Sequence, residues 1–486
     1  MNPLIREKYV AVIGLEVHAQ LSTKSKVFSS DAIAFGAPPN TNIGVVTLAY
    51  PGTLPKLNKK ALEYAIKMGL VCHSTISRFN IFDRKNYFYQ DLPKGYQLTQ
   101  DRTPICKSGF VRIKNKEGVE KQILLNRIHL EEDAGKSIHD LDARDTLIDL
   151  NRSGTALIEI VTDPVLRNSE DAAAFVAEVR KMVRYLEICD GNMEEGSLRC
   201  DANVSVMLKD AKEFGKKVEI KNMNSLRYIQ RAIDVEIERQ IGELEKGNAV
   251  LSETRMFDIA TGKTYGMRTK EELNDYRYFP DPDLSPVVVS EEWLSEIRAS
   301  IPAMPYELQQ KFMKVYGLPE YDAQVLTDSR EMALYFEEVC KLTKHYKTAS
   351  NWMMGPVKSY LNEFGKEMSD FPLQPVILVN LIELVEQGKV SFSAASQQVF
   401  AALLQDSSRP VLQVAQDLNV LQDSNVDSLL IVIEEVLQAY PDKVQEYKKG
   451  KKGLLAMFMG EVMKRSKGKA DPKKTSALLE EKLNVL

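Results

Sequence analysis

From its start to about residue 294 the chain carries runs in which apolar side chains recur at every second position. The runs are short: YVAVIGLEVHAQL, GFVRIKN, KQILLNRIHLEED, ALIEIVTDP, SLRCDANVSVML and KVEIKNM, separated by Gly, Pro and Asn. A period of two sends successive side chains to opposite faces of a strand, so each run needs one covered and one more open face. Antiparallel sheets meet that demand, because only one of their faces has to be packed. Two helix-length segments interrupt the pattern. One is 170–188 after Ser169, with Val176, Val179, Val183 and Leu186 on one stripe; the other is 226–246 after Ser225, with Leu226, Ile229, Ile233 and Ile237.

After SPVVVSEEWLSEIRASIPAMP the period changes to that of amphipathic helices, with breaks expected at Gly317-Leu318-Pro319, Gly355-Pro356 and Asp370-Phe371-Pro372. A second shift falls at DSSRP, 406–410. The fold class predicted is therefore α+β: a largely antiparallel sheet domain with flanking helices over 1–294, a helical domain over 295–408 and a helical tail domain over 409–486. A chain of 486 residues, 44% hydrophobic, has ample material for several cores.

The formal net charge of -4 rules out a global basic field, so any nucleic-acid contact has to come from a local patch. Residues 441–474 offer one, with eleven Lys or Arg against four Asp or Glu. An ordinary solvated helix face is the alternative reading of that stretch. The 5 cysteines form no C-x-x-C pair, which argues against a zinc ribbon or a disulfide framework and for a reducing, cytoplasmic setting. Neither a signal-peptide core nor a run of 18 apolar residues occurs, so no membrane segment is expected.

The polar faces of the strands carry the chemistry. In IGLEVHAQL, Glu16, His18 and Gln20 share the face opposite Ile13, Leu15 and Val17. In IHLEEDAG, His129, Glu131 and Asp133 share one face, and in SLRCDANVSV so do Arg199, Asp201, Asn203 and Ser205. Asp and Asn are poor strand formers. Glu159 lies inside the apolar run LIEIV, where an ionised carboxylate requires a cation, a set of hydrogen bonds or a raised pKa. A divalent ion would serve; an imidazole among the ligands suits Mn²⁺ or Zn²⁺ as well as Mg²⁺, and salt bridges with Arg and Lys are the alternative. The sequence contains no P-loop, no dinucleotide fingerprint, no H-E-x-x-H and no G-x-S-x-G, so any ATP is handled outside the P-loop plan.

Eight ordered stretches, GLEVH (14–18), FDRKNYFYQDLPKGYQ (82–97), HLEEDAGKS (129–137), DLNRSG (149–154), LIEIV (157–161), EEGSLRCDANVSV (194–206), EIKNMNS (219–225) and DYRYFPDPDL (275–284), resemble the B subunit family of the bacterial tRNA-dependent amidotransferases. That resemblance implies ATP-dependent phosphorylation of the side-chain carboxylate of mischarged Glu-tRNA(Gln) or Asp-tRNA(Asn), followed by amidation with ammonia. It implies ATP and Mg²⁺ as cofactors. It also implies two partners, an amidase-type glutaminase subunit (A) and a small bridging subunit (C), and a tail domain that holds the tRNA.

Carried over position by position, His18, Glu131 and Glu159 look like metal ligands, with Glu16 beside them at the reaction centre or an ammonia channel. Lys85 and Tyr87 look like channel or pocket residues. Arg199, Asp201 and Asn203 fall on the nucleotide or metal side, and Lys221 and Asn222 on the phosphate side, although Arg199 and Asp201 could instead pair with each other. Tyr276, Arg277 and Tyr278 read as packing residues. Ala156 and Ser285 stand where the family commonly has proline, a difference of backbone stiffness and not of charge. Two rival functions share these residues: a metal-dependent RNA phosphoesterase, which would need no ATP, and a non-catalytic tRNA-binding scaffold, in which the carboxylates are only a hydrogen-bonded sheet face.

Overall fold

The computed structural model describes residues 3–139, 141–142, 144–269, 276–422, 426–466 and 469–485. Asp275 of the DYRYFPDPDL motif and Lys467 of the basic stretch lie outside them. Among the described residues ten strands form one sheet: β1 (Tyr9–Gln20), β2 (Thr75–Ile76), β3 (Cys106–Lys107), β4 (Phe110–Lys114), β5 (Glu120–Glu132), β6 (Ala156–Thr162), β7 (Leu198–Leu208), β8 (Val218–Lys221), β9 (Glu253–Asp258) and β10 (Lys263–Thr269). Their order is β10-β9-β8-β7-β1-β6-β5-β3-β2, with β4 also paired to β5. The β8–β9 pair is parallel and the other pairs are antiparallel, so the sheet is of the class its alternation demands.

Helices α1 (Lys59–Val71), α2 (Ser169–Tyr185) and α3 (Leu226–Glu245) join the sheet. Helix α3 packs on α2 and on β7, α2 packs on β4, and α1 packs on β5. The single core so formed takes in Ile13, Leu15, Val17 and Ala19 of β1 together with Val176, Val179 and Val183 of α2 and Ile229 and Ile233 of α3. Each of the larger aliphatic residues is worth roughly 1.5–3 kcal/mol when fully buried, which is why the alternating pattern dictates the covered face.

Helix α3 starts where the sequence places it, with the Ser225 hydroxyl accepting from the Tyr228 amide at 3.2 Å. Helix α2 starts one residue earlier than expected, because Asn168 is its cap: the Asn168 side-chain Oδ1 accepts from the Asp171 amide at 2.7 Å. Helix α1, capped by Asn58, has no counterpart among the expected helices, although Ala61, Leu62, Ala65, Ile66, Met68 and Gly69 form one buried stripe along it.

The chain divides into two compact units, Met1–Pro305 and Tyr306–Leu486. The second is helical. Its breaks at Gly317 and Pro372 fall between helices as expected, but Gly355-Pro356 does not end one. The run continues from Tyr346–Trp352 through a π-helical turn, Met353–Val357, into Lys358–Phe364. The wider turn absorbs a proline that a regular α-helix would not. Leu429, Ile433, Phe458, Val462 and Leu479 belong to a separate apolar cluster near the end of the chain. No described helix is long and apolar enough to cross a membrane.

Candidate active site

Register, more than alternation, builds the site. Across β7, β1, β6 and β5, Arg199 lies opposite His18, His18 opposite Glu159, and Glu159 opposite His129. One step along, Glu131 lies opposite Leu157, which in turn faces Gln20; in the other direction Glu16 lies opposite Asp201, and Asn203 opposite Glu219. Directly opposed side chains point to the same face about 5 Å apart. The polar faces of five strands therefore merge into one surface.

His18 Nε2 lies 3.7 Å from Glu159 Oε2 and 3.9 Å from Glu131 Oε1. The donor atoms of these three residues all fall within 4.8 Å of one another, close enough to share an ion. An octahedral dication with bonds of roughly 2.1 Å has ligand–ligand separations of about 3–4 Å, so the spacing fits. One imidazole and two carboxylates also make a chemically sound donor set for Mg²⁺ or Mn²⁺.

His129, which its parity places on this face without a role of its own, is 2% exposed. Its Nε2 is 3.1 Å from Glu159 Oε2 and 3.7 Å from Glu131 Oε2. Burial disfavours a charged ring, but Glu159 and Glu131 outweigh it and push the His129 pKa up to about 9. Burial likewise works against the Glu159 carboxylate; His129 and His18, with Lys85 behind them, hold its pKa well below the ordinary range. The carboxylate is thus ready to bind a cation. The parity of IHLEED was the available signal: a histidine two residues before Glu131 shares the face of that carboxylate.

Glu16, Asp201 and Glu219 form a second carboxylate group within 4.8 Å. Burial raises the Glu16 pKa first, and Glu159, Glu219 and Asp201 raise it further against the opposing effect of His18. Asn203 donates to Glu16 Oε1 at 2.9 Å. Lys221 bonds Asp201 directly and lies 3.0 Å from Glu219, and those two carboxylates hold its ammonium charged in spite of burial. Arg199 and Asp201 are not partners. Arg199 Nη2 donates to Asp133 Oδ2 at 2.7 Å, an oxygen that also accepts from Gln20 at 2.8 Å. Asn222 turns away, its amide donating to the Phe257 carbonyl at 3.1 Å.

Lys85 lies in a smaller sheet of Asp83–Asn86, Tyr96–Thr99 and Phe279–Pro280, and Tyr87 follows directly after its first strand. Lys85 Nζ lies 4.9 Å from the Tyr276 ring centre and 5.9 Å from that of Tyr87. Burial opposes its charge, but Glu131, Tyr278 and Tyr276 raise its pKa. Tyr276 also packs edge-on to Tyr87 and Tyr278, so these tyrosines do pack, and what they pack around is a lysine that faces the carboxylates. Glu132 fixes this small sheet to β5, bonding Lys94 and accepting from the Leu98 amide at 2.9 Å.

Residues 11–295 match the family described as the GatB/GatE catalytic domain, and residues 334–483 match the GatB domain; the chain belongs to this family. Three relatives share one name, the B subunit of aspartyl/glutamyl-tRNA(Asn/Gln) amidotransferase. That of Thermodesulfovibrio yellowstonii is 45% identical over 472 residues, covering 97% of this chain and 98% of its own length. That of Alkalilimnicola ehrlichii is 47% identical over 478 residues, 98% of this chain and 100% of its own. That of Thermosynechococcus vestitus is 47% identical over 485 residues, 98% of this chain and 97% of its own.

Proposed function

We propose that this chain is the B subunit of a tRNA-dependent amidotransferase and that the polar face of its sheet activates a carboxylate. In this reading the γ-phosphoryl of ATP passes to the side-chain carboxylate of mischarged Glu-tRNA(Gln) or Asp-tRNA(Asn), releasing ADP. Ammonia then attacks the acyl phosphate, phosphate leaves with the C–O bonding pair, and the amide remains. Phosphorylation is needed because a carboxylate has no usable leaving group. The ammonia comes from an amidase-type glutaminase subunit (A), joined through a small bridging subunit (C).

The observation that carries the reading is the convergence of His18, Glu131 and Glu159 beside a second acidic group, with Lys85, Arg199 and Lys221 around them. Mg²⁺ held by the first three would neutralise phosphate charge as it develops. Lys85 and Lys221 supply fixed positive charge on either side of that centre. Arg199, anchored by Asp133, is oriented without losing its charge. Asn203 keeps Glu16 aimed at the same surface. The domain roles follow: 1–294 carries the chemistry, 295–408 is a helical connector and 409–486 is a tail that holds the tRNA through its basic surface.

The test is ADP release by the assembled complex. It should require the mischarged tRNA, and amide formation should fall at least ~100-fold in Glu131→Gln. Nucleotide release from RNA without ATP would instead indicate a phosphoesterase. Full amidation by Glu131→Gln would reduce these carboxylates to a structural sheet face. None of the three relatives named above carries either of those descriptions.

A further inference from the structure

We infer that Phe88 and Tyr89 form a stacking platform for the unpaired 3′ end of the RNA substrate, seating the terminal base while its aminoacyl group reaches the carboxylates. The inference rests on the proposed function for the identity of the RNA. Tyr87, Phe88 and Tyr89 are consecutive, but their surroundings differ. Tyr87 is partly buried against Tyr276 and the Lys85 side chain, whereas Phe88 is 82% exposed and Tyr89 57% exposed. Leaving two large aromatic side chains in water at the edge of a charged site forgoes the burial that ordinarily stabilises them.

The loop that presents them is held in shape. Asn86 pairs with Tyr96, and the Tyr87 amide donates to the Gly95 carbonyl at 3.2 Å, so Phe88 and Tyr89 begin the tip that joins the two strands. Within the tip, the Leu92 amide donates to the Tyr89 carbonyl and the Gly95 amide to the Leu92 carbonyl, both at 3.0 Å, and the Leu92 side chain is buried. Gly95 has φ +70, and a Cβ there would lie 3.0 Å from the Phe88 ring, so the ring rests on the glycine. Two further bonds fasten the loop beside the site: Asp91 accepts from the Gly135 amide at 2.9 Å and from Ser137 Oγ at 3.0 Å. Glu132, next to the ligand Glu131, bonds Lys94 in the same loop.

The loop that carries the aromatic pair is therefore bonded to the strand that carries Glu131, and an aromatic side chain, with only two rotatable bonds, loses little entropy when a flat ligand settles on it. The aminoacyl group is esterified to the ribose of the last nucleotide, so the base nearest the reacting carboxylate is the terminal one. A base at a single-stranded end offers a bare π face, and stacking on aromatic side chains is how proteins hold such ends without relying on a duplex.

The experiment uses the full chain in its complex with the glutaminase partners and RNA carrying 2-aminopurine as the terminal base. Wild type should quench that fluorophore, and Phe88→Ala should weaken RNA binding roughly 5- to 100-fold while the KM for ATP stays unchanged. Phe88→Trp should restore both quenching and affinity, and Phe88→Leu should not. Equal rescue by leucine, unchanged RNA affinity in Phe88→Ala, or loss of the partner subunits from the complex would overturn the platform. The proposed function has its own readout: if wild type quenches the probe but makes no amide, that reading fails and the platform stands.

Discussion

At the residue scale, the buried His129 ring lies against two carboxylates on the polar face of the sheet. Its Nε2 touches both Glu159 and Glu131, while its Nδ1 is buried with no hydrogen-bond partner among the described residues. In the proposed function Glu159 and Glu131 are metal ligands, and a group that orients such ligands typically accounts for 10- to 100-fold in affinity or activity. His129→Gln should accordingly weaken Mg²⁺ or Mn²⁺ binding by about that factor in titration calorimetry, and wild-type affinity would mean that the carboxylates hold their positions unaided. Lys26 is a second buried cation, 0% exposed, with Nζ 3.3 Å from Thr47 Oγ1 and 3.4 Å from the Leu150 carbonyl. Burial lowers its pKa from 10.5 to about 8, although Asp31 and Glu132 oppose the shift. Between those values the unfolded chain binds more protons than the folded one, so stability contributed at Lys26 rises with pH across that window and is lowest below it. Comparing Lys26→Met with wild type by urea unfolding should show the variant gaining up to about 3 kcal/mol relative to wild type at pH 7, and little by pH 10.

At the element scale, α1 meets the sheet through Gly69. A Cβ there would stand 2.2 Å from Cys106 Sγ and 3.0 Å from Ile76 Cδ1. Alanine would gain about 1 kcal/mol of helix propensity, but overpacking of a closed core costs roughly 1–3 kcal/mol. Gly69→Ala should therefore lower stability, read as a reduced denaturation midpoint with an unchanged slope; a more stable variant would show that β2 and β3 yield to α1. The elements also show how legible the sequence was. Helix α3 was readable because Ser225 and its apolar stripe agree. Helix α1 carries the same two signals, the Asn58 cap and a one-sided stripe of Ala61, Leu62, Ala65, Ile66 and Met68, but over a shorter segment with Gly69 inside it, which weakens the helical pattern. Gly355-Pro356 misled because a proline signals a break only where the backbone cannot widen into a π turn.

At the scale of the whole molecule, the sheet unit and the helical unit divide chemistry from substrate holding in the proposed function. Lys448, Lys449, Lys451 and Lys452 are exposed at the end of helix Pro441–Lys448 and just beyond it; Lys451 is paired with Glu446 and Lys452 lies over the Tyr447 ring. Lys448 and Lys449 remain to meet phosphate. Replacing both with alanine should weaken tRNA binding and reduce the slope of log affinity against log salt by roughly one for each phosphate left without its lysine. The same slope in wild type and variant would remove this helix from the RNA interface.

The sequence alone determined which face each side chain takes, since a period of two admits no other arrangement: Glu16, His18 and Glu131 fall on polar faces from their neighbours alone, and Glu159 stands out as a lone carboxylate in the apolar run LIEIV. Only the tertiary structure decided which of them meet. A strand can slide by two residues without turning a single side chain over, so alternation is blind to register. That His18 lies opposite Glu159, that Arg199 reaches Asp133, and that Lys221 closes on Asp201 depend on how strands distant in sequence settle against a common core.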